Sequence, residues 1–215
     1  MKNTVCTDPL KISRPLMLVS LAASAGAIVF LASLHVLSPE LDPSWRVVSE
    51  YALGRYAWVL SFMFLSWAIG SWALVFGIRS QVRTLGGRIG LVFLLVAGAG
   101  EALAAPFDVT WPRLHGLAGL LGVPSLPIAA MLISVSLGRA PAWARARRSL
   151  LWTANLTWMS LALMVAAMCT LRNPIGGVQV PIGWPNRLLV TVYALWVISV
   201  AWQAIRLRRR VSEIP

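Results

Sequence analysis

The sequence contains few charged residues, few acidic residues and almost no cysteine. Only 12% of its 215 residues are charged, and only seven of them are Asp or Glu. Two cysteines are too few for a disulfide-rich secreted domain, and the absence of a regular glycine period excludes a collagen-like chain. With 58% apolar residues and a mean hydropathy of +0.75, the chain is too apolar to be intrinsically disordered. The composition predicts a protein that is surrounded by lipid.

Six apolar segments account for this composition, and each is about as long as a helix must be to cross the hydrocarbon core of a bilayer. They cover residues 15–37, 56–78, 89–105, 112–137, 149–171 and 187–205. None of them alternates between polar and apolar residues as barrel strands do. The sequence therefore predicts an all-α polytopic membrane protein, a bundle of six transmembrane helices arranged as three hairpins.

Basic residues are concentrated on one side of the predicted membrane. Fourteen of the nineteen Lys and Arg lie in the N-terminal segment, in the second and fourth gaps, or after the last span. Because cytoplasmic segments of membrane proteins carry the excess of Lys and Arg, both termini are predicted to be cytoplasmic. The protein itself is predicted to lie in the cell membrane. We expect a cytoplasmic tail over residues 1–14, a transmembrane domain over 15–205 and a basic cytoplasmic tail over 206–215. The net charge of +12 then reports orientation, and the predicted partner is the lipid bilayer and not nucleic acid.

The first outer gap, residues 38–55, contains the polar triplet Ser49, Glu50 and Tyr51. An Asp-Pro pair is a favourable helix start, and here it predicts a short interfacial helix over residues 43–53. We interpret the triplet in two ways. Either Glu50 pairs with a nearby arginine in a structured loop, or the triplet lines a site that is open to the outside.

Glu101 is the one carboxylate that lies inside a predicted span. At about one and a half turns from the end of the helix, a charge costs about 1–3 kcal/mol and is normally turned towards protein. Glu101 either forms a structural hydrogen bond with a neighbouring helix, which Gly98, Gly100 and Ala104 would allow to approach closely, or belongs to a functional site.

His35 and His115 are the two histidines of the chain, and both fall at the outer ends of spans. Asp108 precedes His115 by seven residues, and the turn between them could bring carboxylate and imidazole together as an oriented base. A histidine at this depth can equally be a hydrogen-bonding residue at headgroup level. Two histidines are too few for a three-histidine zinc site. A site of two histidines and one carboxylate stays open as an alternative, but we predict neither a metal nor another cofactor.

Motifs in three regions of the chain carry a resemblance to a known family. They are Ser38-Pro39-Glu40 with Val48-Ser49-Glu50-Tyr51-Ala52-Leu53-Gly54, Phe107-Asp108 with Leu114-His115-Gly116, and Gly183-Trp184-Pro185-Asn186-Arg187-Leu188. Over nearly its whole length the chain resembles the six-span membrane family catalogued as domain of unknown function 998. The resemblance implies the six-span architecture but no assigned reaction. The pattern of the family has Gln at the position of Asn186. The outer gap is more loosely similar to the Frag1/DRAM/Sfk1 membrane proteins, which are associated with lipid and membrane-trafficking roles.

Three functions follow from these residues. In the first, the protein binds a lipid or a partner membrane protein through the outer polar cluster, with the binding residues His35, Ser49, Glu50, Tyr51 and Arg187. In the second, it is an intramembrane hydrolase that acts on a lipid, with the acid–base residues Glu101, Asp108 and His115. In the third, it is a small transporter that hinges at Pro124 and Pro127, near the middle of the fourth span. The same two prolines are also explained by a packing kink whose freed carbonyls bond to neighbouring helices.

Overall fold

The computed structural model describes residues 8–172 and 180–212, and this part of the chain is helical and contains no strand. The long helices are α1 (Arg14–Leu37), α2 (Ala57–Ile78), α3 (Leu85–Ala104), α4 (Pro112–Gly138), α5 (Arg147–Arg172) and α6 (Gly183–Ser212). All six are long and apolar enough to cross a membrane. Short 3-10 helices lie at Pro9–Lys11, Val48–Leu53 and Pro141–Ala146. The predicted all-α fold with six transmembrane helices is confirmed.

Two helices extend beyond their predicted bounds by four or more residues. The helix α3 begins at Leu85 because Oγ1 of Thr84 accepts a 3.0 Å hydrogen bond from the backbone N–H of Gly87 and caps the helix. The helix α6 has 30 residues and reaches Ser212, which corresponds to about 45 Å, against roughly 30 Å for the hydrocarbon core. Part of the predicted basic tail is therefore helical.

The domain bounds stay predictions. Parts of the predicted tails and of the third outer gap, namely residues 1–7, 173–179 and 213–215, lie outside the described residues.

The helices form three hairpins that close into a ring. The helix α1 packs on α2, α3 on α4 and α5 on α6, while α2 also contacts α3, α4 contacts α5, and α6 returns to α1. We call the end of the bundle that contains residues 38–56, 105–111 and 180–186 the loop end. The opposite end, which contains residues 8–13, 79–84 and 139–146, is called the basic end. Which of the two ends faces the cytoplasm stays a prediction.

Small residues allow the helices to approach closely, as is common where helices pack within lipid. A Cβ on Gly100 of α3 would collide with the backbone of Ala118 and Gly122 in α4. Between α1 and α2, Oγ of Ser20 donates a 2.8 Å hydrogen bond to the carbonyl oxygen of Gly70. The predicted close approach at Gly100 is confirmed.

The segment expected to form one interfacial helix over residues 43–53 is instead a turn followed by the 3-10 helix. In a continuous helix the carbonyl of Ser44 would accept a hydrogen bond from the N–H of Val48. Both groups are bonded to α6. The Ser44 carbonyl accepts a 2.8 Å bond from the N–H of Gly183, and the Val48 N–H donates a 2.7 Å bond to Oδ1 of Asn186. Tertiary contacts with α6 therefore replace the helical hydrogen bond.

Candidate functional site

A pocket of about 120 Å³ lies at the loop end between α2, α3, α4 and α6, beside the 3-10 helix Val48–Leu53. The lining side chains that carry a polar group are Ser49, Trp67, Glu101, His115, Asn186 and Tyr193. The rest of its wall is apolar and consists of Val48, Phe64, Gly100, Ala104, Ala118, Gly119, Gly122, Val123, Leu189 and Val190. A cavity of roughly 150 Å³ admits a benzene-sized group, whereas pockets for drug-sized ligands measure about 300–1,000 Å³. The pocket is therefore the size of a small chemical group or of one end of a longer molecule.

Glu101 is buried in the wall of this pocket. Its side chain is 5% exposed, and its Oε2 accepts a 3.0 Å hydrogen bond from Oγ of Ser71 on α2. Among the side chains that the structure describes, no Lys or Arg forms an ion pair with it. Since a buried charge is unfavourable unless it is paired, a ligand group that donates hydrogen bonds or carries a positive charge is favoured beside Glu101.

His115 lies at the start of α4 and lines the same pocket. Its Nδ1 is 2.9 Å from the carbonyl oxygen of Phe107. A carbonyl oxygen only accepts hydrogen bonds, so Nδ1 carries the proton in this contact, and Nε2 of the neutral ring is an acceptor. Two of the three residues predicted as acid–base groups, Glu101 and His115, are thus brought to one pocket.

Asp108, the third predicted acid–base residue, is not part of the pocket lining. Its Oδ1 accepts a 2.6 Å hydrogen bond from Oγ1 of Thr110 and a 2.8 Å bond from the Thr110 backbone N–H. These bonds, first from the hydroxyl and then from the backbone, lower the pKa of Asp108. Asp108 and His115 are each hydrogen-bonded elsewhere, and a catalytic role of Asp108 stays a prediction.

Arg187 of α6 forms a separate buried cluster with His35 of α1 and Tyr51 of the 3-10 helix. The arginine is 4% exposed, and it donates from Nε to Nε2 of His35 at 2.8 Å and from Nη2 to the hydroxyl of Tyr51 at 2.9 Å. Its Nη1 donates to the carbonyls of Arg46 at 2.6 Å and of Gly183 at 3.1 Å. Its guanidinium also lies 5.3 Å from the centroid of the Tyr51 ring. The cluster joins the first outer gap to α1 and α6.

Glu50 stabilises the loop itself. Its Oε1 pairs with Nη1 of Arg46 at 3.0 Å, and its Oε2 accepts a 2.8 Å hydrogen bond from the N–H of Val47. This geometry agrees with the interpretation of Glu50 as part of a structured loop. The ligand-binding roles expected for Glu50, and for the three residues of the Arg187 cluster, stay predictions. Of the predicted binding residues, Ser49 lines the pocket.

The two prolines of α4 lie next to the inner part of the pocket wall. Pro127 has no N–H to donate to the carbonyl of Val123 one turn earlier. The hydroxyl of Tyr193 on α6 donates a 2.9 Å hydrogen bond to this carbonyl instead. A neighbouring helix thus satisfies a freed backbone group, as the packing interpretation of the prolines expects.

Sequence reasoning missed Ser71, Trp67 and Tyr193, which lie in apolar runs where single polar groups are common. Trp67 and Ser71 are four residues apart and therefore share a face of α2, a spacing that could have revealed a polar stripe. Nε1 of Trp67 is buried and has no hydrogen-bond partner within the described residues. In the sequence, Asn186 stands out only as part of the motif at residues 183–188. In the structure, its Oδ1 accepts a hydrogen bond from the N–H of Val48, the first residue of the 3-10 helix.

The fold and the pocket define a multi-pass membrane protein of six helices with a small, partly polar pocket at the loop end. In residues 8–172 and 180–212, no three His, Cys, Asp or Glu side chains form a group that could hold a metal ion. The chain belongs to the family described as "Protein of unknown function (DUF998)", which matches residues 21–203. The resemblance drawn from its motifs is confirmed, whereas the looser one to the Frag1/DRAM/Sfk1 proteins stays a prediction. Comparisons with curated proteins and with solved structures gave no match.

Proposed function

We propose that this protein binds a lipid-like amphiphile and holds the polar headgroup in the pocket beside Glu101 and His115. The supporting observation is that the Glu101 carboxyl group and the acceptor Nε2 of His115 line one pocket whose remaining wall is mostly apolar. Such a site favours a headgroup that donates hydrogen bonds, for example a hydroxyl or an ammonium group.

The dimensions of the pocket favour an amphiphile over a partner helix. A volume of about 120 Å³ accommodates a headgroup, whereas a helix with its side chains is about 10–12 Å wide. Beside the pocket residue Gly119, the α4 side chains Leu117 and Leu120 are exposed. They provide an apolar surface along which an acyl chain can lie.

A matched pair of glycine substitutions tests the proposal. A Cβ placed on Gly116 or on Gly119 meets nothing within 4 Å, but only Gly119 lines the pocket. We expect Gly119→Leu to fill the pocket and Gly116→Leu to leave it open. Both proteins are purified in a neutral detergent, and the lipids that remain bound are extracted and quantified by mass spectrometry.

The expected result is that wild type and Gly116→Leu retain the same lipid and that Gly119→Leu loses most of it. Glu101→Gln, which keeps the shape of the side chain, should reduce retention of lipids with donor headgroups by about tenfold, because a hydrogen bond to a charged group contributes about 1.5–3 kcal/mol. Equal lipid content in all four proteins would refute the proposal.

A second candidate is an intramembrane hydrolase that acts on a lipid, and it is favoured by the same placement of Glu101 and His115. In this reaction Nε2 of His115 would take a proton from water, and the Glu101 carboxyl group would serve as the acid. Lipid products released by wild type but not by His115→Gln would support it. If binding persists without turnover in wild type, only the binding proposal survives. No specific observation favours a transporter that hinges at Pro124 and Pro127.

A further inference from the structure

A basic groove lies at the opposite end of the bundle from the pocket. It has a volume of about 550 Å³, and four cationic side chains line it: Lys11, Arg79, Arg83 and Arg88. These residues come from three elements, because Lys11 ends the first 3-10 helix, Arg79 and Arg83 follow α2, and Arg88 lies in the first turn of α3. All four are exposed.

Specific hydrogen bonds hold these elements together. Gln81, which is 1% exposed, donates from Nε2 to the carbonyl oxygen of Asp8 at 2.7 Å. Oγ of the neighbouring Ser80 donates to the carbonyl oxygen of Lys11 at 3.1 Å. The loop after α2 is therefore fixed against the N-terminal turn, and Lys11 is held beside the arginines of that loop.

The four cations of the groove are not paired with acidic side chains of the described residues. The nearby carboxylate of Asp8 instead accepts a 3.0 Å hydrogen bond from the N–H of Leu10. Like charges that converge on one concave surface repel each other and attract an anion. We propose that the groove binds the phosphate headgroup of an anionic phospholipid.

A lipid fits the groove better than free phosphate does, because the groove continues into the lipid-facing side of α3. Arg88 and Val92 are four residues apart and share a face of α3, and Ile89, three residues before Val92, lies next to this face. Both of these apolar side chains are exposed. A phosphate at Arg88 thus places the acyl chains of the same molecule beside an apolar surface, and the site is independent of the pocket at the loop end.

The test compares two double variants that remove the same charge from the same end of the bundle. Arg83→Gln/Arg88→Gln changes the groove, while Arg139→Gln/Arg148→Gln removes two exposed cations that do not line it. Binding of phosphatidylglycerol and of phosphatidylcholine to each purified protein is measured by native mass spectrometry. Thermal melting confirms that both variants are folded.

We expect the groove variant to bind phosphatidylglycerol roughly 30-fold more weakly than wild type, since each basic residue near a membrane surface contributes about a factor of five. The control variant should bind within about threefold of wild type, and Arg83→Lys/Arg88→Lys should recover most of the affinity. Equal losses in the two Gln variants would overturn the proposal and indicate a diffuse charge effect. Inorganic phosphate that competes with phosphatidylglycerol at equal concentration would overturn the assignment to a lipid.

Discussion

Replacing Arg187 tests whether the Arg187 cluster stabilises the fold. The substitution Arg187→Gln removes a guanidinium that is 4% exposed and donates four hydrogen bonds to α1, the first outer gap and its own helix. After the change, Nε2 of His35 and the hydroxyl of Tyr51 lose their donor. Tyr51 is itself fully buried, so water cannot readily replace the missing bond.

The size of the effect follows from these groups. Each acceptor left without a donor costs about 1–3 kcal/mol. Three acceptors outside α6 are affected, on His35, Arg46 and Tyr51, which gives about 3–9 kcal/mol before any compensation. Removing a buried charge recovers part of its desolvation cost, so the expected net loss is about 3–5 kcal/mol. For a chain of this size, one kcal/mol shifts the melting temperature by about 2–4 °C, which predicts a decrease of about 6–20 °C.

Thermal unfolding in detergent, followed by the fluorescence of the 11 tryptophans, measures this shift. Arg113→Gln is the matched control, because Arg113 is an exposed arginine at the same end of the bundle. Arg187→Lys keeps the charge but not the planar fork of donors, and should recover less than half of the loss. A melting temperature of Arg187→Gln within about 2 °C of the control would refute the reasoning.

Three further predictions concern separate features. Gly100→Ala should lower the free energy of unfolding by about 1–3 kcal/mol, measured by melting, because the added methyl group meets the backbone of α4. Thr110→Val removes the hydroxyl that lowers the pKa of Asp108. As the pH falls from about 4 through the lowered pKa, wild type should therefore lose more stability than this variant. Plots of stability against pH that stay parallel for the two proteins between pH 3 and 7 would contradict this. Tyr193→Phe should cost about 1–3 kcal/mol, and adding Pro127→Ala should recover part of it by restoring an intrahelical donor.

The six helices could be predicted because the rule that governs them is local. A chain segment in hydrocarbon must satisfy its own backbone hydrogen bonds, so the length of each apolar run suffices to identify a helix. The ends of the helices depend on other signals. The cap at Thr84 could have been read from the sequence, whereas the continuation of α6 to Ser212 lies in a charged segment that hydropathy assigns to a tail.

The grouping of the polar residues could not be predicted, because the sequence gives their depth in the membrane but not their direction around the bundle. His35 and His115 were expected at one level. The structure places His115 in the pocket and His35 beside Arg187, on the α1 side of α6. The predicted interfacial helix over residues 43–53 is wrong for a related reason. Gly183 and Asn186 form hydrogen bonds with this segment although they lie more than 130 positions later in the sequence.

The two interpretations of Glu101 that the sequence offered are not alternatives. Gly100 must face α4, because no side chain fits between it and Gly122. One residue later the helix has turned by about 100°, which directs Glu101 away from this contact, towards Ser71 of α2 and the pocket. The structural hydrogen bond and the candidate site therefore use the same side chain. The glycine that allows α3 and α4 to touch also fixes the direction of the carboxyl group, so separating these helices would alter both the packing and the pocket.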